Sequence, residues 1–113
     1  MSIERRFHPR KDVNFSVSIT LENSNEQLSS TAINLSLSGI QLSVDKSGVD
    51  LILSQCSHPA QFQIRLNDDN KVDRFTVRLI VNRRISQNQF LLGLKFIDIS
   101  VEQLAILETI INQ

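Results

Sequence analysis

Apolar residues recur at every second position through most of the chain. From Val13 to Leu21 the odd positions are Val13, Phe15, Val17, Ile19 and Leu21, and the residues between them, Asn14, Ser16, Ser18 and Thr20, are polar. A period of two turns one face of a strand toward a core and the other toward water, so this segment predicts a half-buried strand. Asn23, Ser24 and Asn25 then mark a turn. A weaker strand is predicted around Ser29 to Leu35, and a third where Ile40, Leu42 and Val44 alternate with Gln41, Ser43 and Asp45. From Asp45 to Pro59 no clear period holds. Gly48, the apolar run Val49 to Leu53 and the segment Cys56-Ser57-His58-Pro59 predict a long connection with one short helical turn. Alternation returns with Ala60, Phe62, Ile64 and Leu66, stops at Asn67-Asp68-Asp69-Asn70, and resumes at Phe75, Val77, Leu79 and Val81. The last strand puts Phe90, Leu92, Leu94 and Phe96 on one face, with Leu91, Gly93, Lys95 and Ile97 on the other. Parts of both its faces are therefore expected to be covered, and Phe62, Phe75, Phe90 and Phe96 are expected in the core.

The period changes at Ser100. Ser100-Val101-Glu102-Gln103 fits a capping box, with Ser100 as N-cap and Gln103 reaching back. Leu104, Leu107, Ile110 and Ile111 then form one stripe of a helix, long enough at about 1.5 Å per residue to lie across one opening of a small barrel. Strands of this number and spacing, followed by one amphipathic helix, predict an all-β fold: a six-stranded antiparallel, Greek-key-like β-barrel with a C-terminal α-helix. Closure is favoured because an open sheet would leave two edges to protect.

Composition narrows the function. The chain has 113 residues, the size of one domain, and 41% apolar with 21% charged residues is ordinary for a soluble globular protein. Twelve Lys and Arg balance 12 Asp and Glu, which removes the simplest electrostatic case for binding a nucleic-acid polymer. No run approaches the ~18 apolar residues of a spanning helix, so no membrane insertion is expected. The start, Met1-Ser2-Ile3-Glu4-Arg5-Arg6, lacks the apolar core of a signal peptide. One cysteine cannot form an internal disulfide, which suits a reducing, cytoplasmic setting.

Two segments carry candidate chemistry. In Arg5-Arg6-Phe7-His8-Pro9-Arg10-Lys11, Arg6 and Arg10 are four apart and Pro9 disfavours a helix. Extended, their Cα atoms would stand roughly 13 Å apart, so the segment must bend to bring both onto one small anion. A guanidinium fork suits phosphate oxygens, the O6/N7 edge of guanine and the face of a purine. The second segment is Asn34-Leu35-Ser36-Leu37-Ser38-Gly39. Taken alone it reads first as a hairpin connection, with Gly39 supplying a positive φ, and second as a polar corner where Gly39 lets a ligand approach the backbone. Asn82, Arg83 and Arg84, expected at the end of the fifth strand, read as a solvated strand end or as one further ligand contact. No metal site is expected, because Cys56 and two histidines fall short of a ligand set. No carboxylate pair or nucleophile suggests an enzyme.

Arg6-x-x-x-Arg10 followed by Asn34-x-Ser36-x-x-Gly39 resembles the paired signature of PilZ domains, an RxxxR segment before the first strand and a [D/N]xSxxG turn between the second and third. Leu92-Gly93-Leu94-Lys95-Phe96-Ile97-Asp98 is similar to the family's G-x-x-F strand, which precedes a closing helix. The resemblance runs from Arg5 to about Ile111 and suggests a stand-alone, single-domain member. It implies a barrel that binds cyclic di-GMP. Arg6 and Arg10 would meet the ligand's phosphates and guanines, Asn34 and Ser36 would hydrogen-bond a guanine or phosphate, and Gly39 would keep the turn open. Asn34 stands where many members carry aspartate. Arg5 occupies the position that in some members accompanies a stacked, intercalated pair of ligand molecules. The organisation so implied is a flexible ligand-binding segment at 1–12, the barrel at 13–98 and the helix at 100–112. Ligand would order the segment and signal to an unidentified downstream protein. The alternative is an adaptor that keeps the barrel, binds no nucleotide and works through protein contacts.

Overall fold

The computed structural model describes residues 10–21, 27–56, 60–67 and 74–113. The period-two segments form β1 (Lys11–Thr20), β2 (Gln27–Leu35), β3 (Gly39–Val44), β4 (Gln61–Asn67), β5 (Arg74–Ser86) and β6 (Gln89–Ile97). Neighbouring strands are antiparallel in the order β1-β2-β3-β6-β5-β4, and β4 pairs back with β1, so the sheet closes into a barrel. The apolar side of each strand faces the lumen. Val17, Ile19, Leu35, Leu42, Phe62, Ile64, Phe75, Val77 and Leu92 are all buried there, and the rings of Phe75 and Phe96 meet at 5.3 Å between centroids. Each such side chain contributes roughly 1.5–3 kcal/mol by leaving water. Phe90 is only partly buried, under the guanidinium of Arg84 at 5.9 Å.

The two connections that are not strands close the ends. The segment expected to hold one helical turn instead holds a ten-residue helix, α1 (Lys46–Gln55), between β3 and β4. Asp45 caps it, its Oδ1 accepting from the Gly48 amide at 2.8 Å, and Val49 and Ile52 enter the core from it. The apolar run Val49–Leu53 concealed this helix, because residues on both its faces are apolar. The second helix, α2 (Val101–Ile111), starts as expected: the Gln103 amide donates to Ser100 Oγ at 3.1 Å, and the Ser100 amide to Gln103 Oε1 at 2.9 Å. Gln103 Nε2 also donates to the Arg74 carbonyl at the start of β5, at 2.7 Å. At the other end, Lys11 Nζ at the start of β1 donates to the carbonyls of Ile110 and Gln113. In an alternating barrel the starts of β1 and β5 lie on one rim, so α2 spans that opening and buries Leu107 and Ile110 against the core. Helix α1 closes the opposite rim.

β5 departs from the expected pattern. It runs on to Ser86, so Asn82, Arg83 and Arg84 lie within the strand rather than at its end, and its residues from Ile80 onward are exposed. The alternation Phe75, Val77, Leu79, Val81 does not persist either. Leu79 pairs with Leu94 but Val81 pairs with Gly93, which leaves Ile80 as an extra residue. Such a bulge reverses the alternation, and Val81 turns from the expected core face to the outer face, where it is 45% exposed.

Candidate functional site

A cleft of about 350 Å³ lies on the outer barrel wall at the α2 rim, lined by residues of the Arg10 segment and of β2, β3, β5 and β6. Two positions of its floor lack side chains. On β3, Gly39 and Gln41 point outward; on β6, Gly93 and Lys95 do so; and the strand pairing sets Gly39 beside Lys95 and Gln41 beside Gly93. A Cβ on Gly39 would come within 2.4 Å of the Leu94 carbonyl oxygen, and one on Gly93 within 3.1 Å of Val81 Cβ. Gly39 is required by this close approach of strands. No described glycine has a positive φ, so the expected left-handed turn at Gly39 is not what selects it.

Bulges aim both walls. On β2, Ser30 and Ala32 point inward, and strict alternation would bury Asn34 as well. Ile33 is an extra residue, because Ala32 pairs with Leu42 while Asn34 pairs with Gln41. The reversal sends Asn34 out to the cleft and returns Leu35 to the core. There Asn34 Nδ2 donates to Gln41 Oε1, so its amide oxygen is not the group engaged with Gln41 and remains an acceptor. The opposite wall is the β5 bulge already described, with Ile80 58% and Val81 45% exposed.

Ser36 sits in the turn between β2 and β3 and is only 5% exposed. Its hydroxyl oxygen accepts from the amides of Ser38 at 3.2 Å and Gly39 at 3.1 Å, and lies 3.1 Å from Ser38 Oγ. The Ser36 amide donates to the Gly39 carbonyl at 2.9 Å, and the Phe96 amide donates to the Ser38 carbonyl at 3.0 Å. A hydroxyl has two acceptor lone pairs and one donor, so Ser36 already uses its acceptors to hold the turn, while Ser38 stands exposed on the cleft.

Arg10, Asn34, Ser36 and Gly39 thus border one cleft although Arg10 and Asn34 are 24 positions apart in the chain. Arg5 and Arg6 lie outside the described residues. Ser38, Gln41, Ile80, Val81, Gly93 and Lys95 also line it and were not singled out from the sequence. Their signal was present in part, since Gln41 and Lys95 are outward positions beside a glycine. Among the described residues the charged ones that line it are Arg10 and Lys95, so a chain with no net charge brings two cations and no described carboxylate to this place. Arg83 and Arg84 are not among the lining residues; Arg84 folds onto the hairpin, donating to the carbonyls of Ser86 at 3.1 Å and Gln87 at 3.4 Å. Among the described residues no cluster of His, Cys, Asp and Glu could hold a metal ion.

The fold is similar to that of the PilZ domain with cyclic di-GMP of YcgR from Escherichia coli, with a TM-score of 0.74 at 21% identity, covering 96% of this chain and 90% of that one. It is also similar to the MrkH–cyclic di-GMP complex from K. pneumonia, with a TM-score of 0.70 at 14% identity over 96% of this chain and 51% of that one. The Bacillus subtilis inhibitor of motility, MotI/DgrA, gives 0.74 at 13% identity over 97% and 50%. The chain spans about half the length of these last two proteins. No curated protein sequence matches it closely enough to count as a relative. The family model of the PilZ domain matches residues 4–113, nearly the whole chain, and on that match, with the barrel and its signature turn in place, the chain belongs to the PilZ domain family.

Proposed function

We propose that this chain is a bacterial cyclic di-GMP receptor with no catalytic activity. The observation that carries the reading is the convergence of Arg10 with Asn34, Ser36 and Gly39 on one cleft whose charged lining, among the described residues, is cationic. The solved YcgR and MrkH complexes with cyclic di-GMP support it from the family side. The ligand offers two phosphates and two guanines. Arg10 and Arg6 supply guanidinium forks for phosphate oxygens or a guanine edge. Asn34 supplies an acceptor and Gln41 a second amide, and Ser36 holds the turn that presents Ser38. Gly39 keeps side-chain bulk away from the turn beside the cleft.

The signal passes through the residues before β1. A dianionic ligand neutralises Arg6 and Arg10 together and draws residues 5–11 over the cleft, changing the surface offered to a downstream protein. Arg5 stacks on a guanine of a second, intercalated ligand molecule. This reading places the chain in the cytoplasm, where it binds no nucleic-acid polymer and does not insert into the membrane.

Isothermal titration with cyclic di-GMP tests the assignment. The native chain binds, and Arg6→Ala and Arg10→Ala each lose about 1.5–3 kcal/mol, from charge-assisted hydrogen bonds. Arg5→Ala chiefly lowers the number of ligands bound. Absence of binding by the native chain would leave the nucleotide-independent adaptor as the better description. Amide exchange across residues 5–11 that does not slow at saturating ligand would remove the clamp.

A further inference from the structure

Lys95 lies two residues past Gly93 on β6, with its side chain on the cleft. Its neighbours across the strands are Gly39 on β3 and Arg78 on β5. Two cations directly opposite each other on one face of a sheet repel. Neither Lys95 nor Arg78 is paired with a carboxylate among the described residues, and Arg78 Nε is buried with no hydrogen-bond partner. The alternative, a solvated lysine on a strand face, explains the exposure of Lys95 but not its placement opposite an arginine at the rim of a cleft that no acidic group among the described residues lines.

The position of Arg10 makes the arrangement specific. Arg10 immediately precedes β1, and the row Lys11–Leu35, Leu35–Ile40, Ile40–Leu94 runs across β1, β2, β3 and β6. At about 4.8 Å per strand spacing, Arg10 and Lys95 stem from backbones roughly 14 Å apart measured along the wall. Side chains of this length reach toward one another from opposite ends of the cleft. A single ligand with two anionic groups can therefore place one on each.

We propose that Lys95, in the field of Arg78, is the second anion-holding position of the cleft and takes the ligand phosphate that Arg10 does not. This rests on the receptor reading above and adds a residue outside both signature segments. Lys95 is exposed, so its replacement leaves the barrel intact; removing one of two opposed cations should hold or raise the melting temperature without ligand. The experiment titrates cyclic di-GMP into the native chain, Lys95→Met, Lys95→Arg and Arg10→Ala at low and high salt. Lys95→Met is expected to bind about ten- to a hundredfold more weakly, as loss of one charge-assisted contact implies, with the deficit shrinking at high salt. Lys95→Arg keeps affinity within a few-fold. A ligand with a single phosphate, cyclic GMP, should be weakened by either Lys95→Met or Arg10→Ala but not by both in sum. Binding by Lys95→Met equal to that of a native chain that does bind would overturn this inference alone. No binding by the native chain would overturn the receptor reading and this inference with it.

Discussion

Ser36 and Gly39 show how a single side chain, or its absence, can shape a site through the fold itself. The Ser36 hydroxyl takes two backbone amides of its own turn while almost wholly buried. Ser36→Ala leaves those donors without that acceptor and should cost about 1–3 kcal/mol of stability, readable as a lower urea midpoint at unchanged slope. Gly39→Ala places a methyl 2.4 Å from the Leu94 carbonyl oxygen, on backbone that cannot rotate away. It should destabilise the barrel by about 1–3 kcal/mol, as overpacking does, before any ligand is added. A Gly39→Ala chain as stable as the native one would mean that β3 and β6 can part here at little cost. Both substitutions therefore need an unfolding curve beside any binding curve.

At the scale of elements, α2 is tied at both ends to the rim it covers. Its N-terminus is held by the reciprocal Ser100–Gln103 bonds and by Gln103 to the Arg74 carbonyl, and its C-terminal carbonyls accept from Lys11. Ser100→Ala should lower stability by about 0.5–2 kcal/mol through loss of the cap. Lys11→Met, which removes a cation from the negative end of the helix, should lower it by about 0.3–1 kcal/mol. Amide exchange would place the second effect in the last turn of α2, and a uniform effect along the helix would contradict it. Lys11 also directly follows Arg10, so whatever draws Arg10 toward the cleft acts on the residue that pins α2. The strand elements were legible from alternation, and α2 from its cap and stripe. Helix α1 was not, because an apolar run of a few residues has no period to measure. The bulges at Ile33 and Ile80 were not either, since alternation assumes the register that a bulge breaks.

At the scale of the whole molecule, a closed barrel leaves its outer wall as the surface that can be shaped. Here that wall carries a cleft with two glycines and, among the described residues, two lining cations, Arg10 and Lys95. No helix among the described residues is long and apolar enough to cross a membrane. A ligand that binds only the folded barrel stabilises it by mass action, by about 2.7 kcal/mol at a hundredfold excess over its dissociation constant. Scanning calorimetry, suited to a chain with no Trp or Tyr, should therefore show a melting temperature that rises with cyclic di-GMP concentration. Arg10→Ala should blunt the rise. A melting temperature indifferent to the nucleotide at millimolar concentration would contradict the receptor assignment.

The linear chain was sufficient to determine the strands, the capped terminal helix, the closed barrel and the two segments that resemble a known signature. Those properties depend on local periodicity and spacing, which folding preserves. Which strands become neighbours, and which way a residue points after a bulge, were decided only in three dimensions. Lys95 stands beside Gly39 because β3 pairs with β6, Asn34 faces outward because Ile33 is looped into β2, and Val81 forms a wall because Ile80 does the same in β5. Register is set by the packing of the entire core, so these positions are a property of the assembled barrel and not of any one segment.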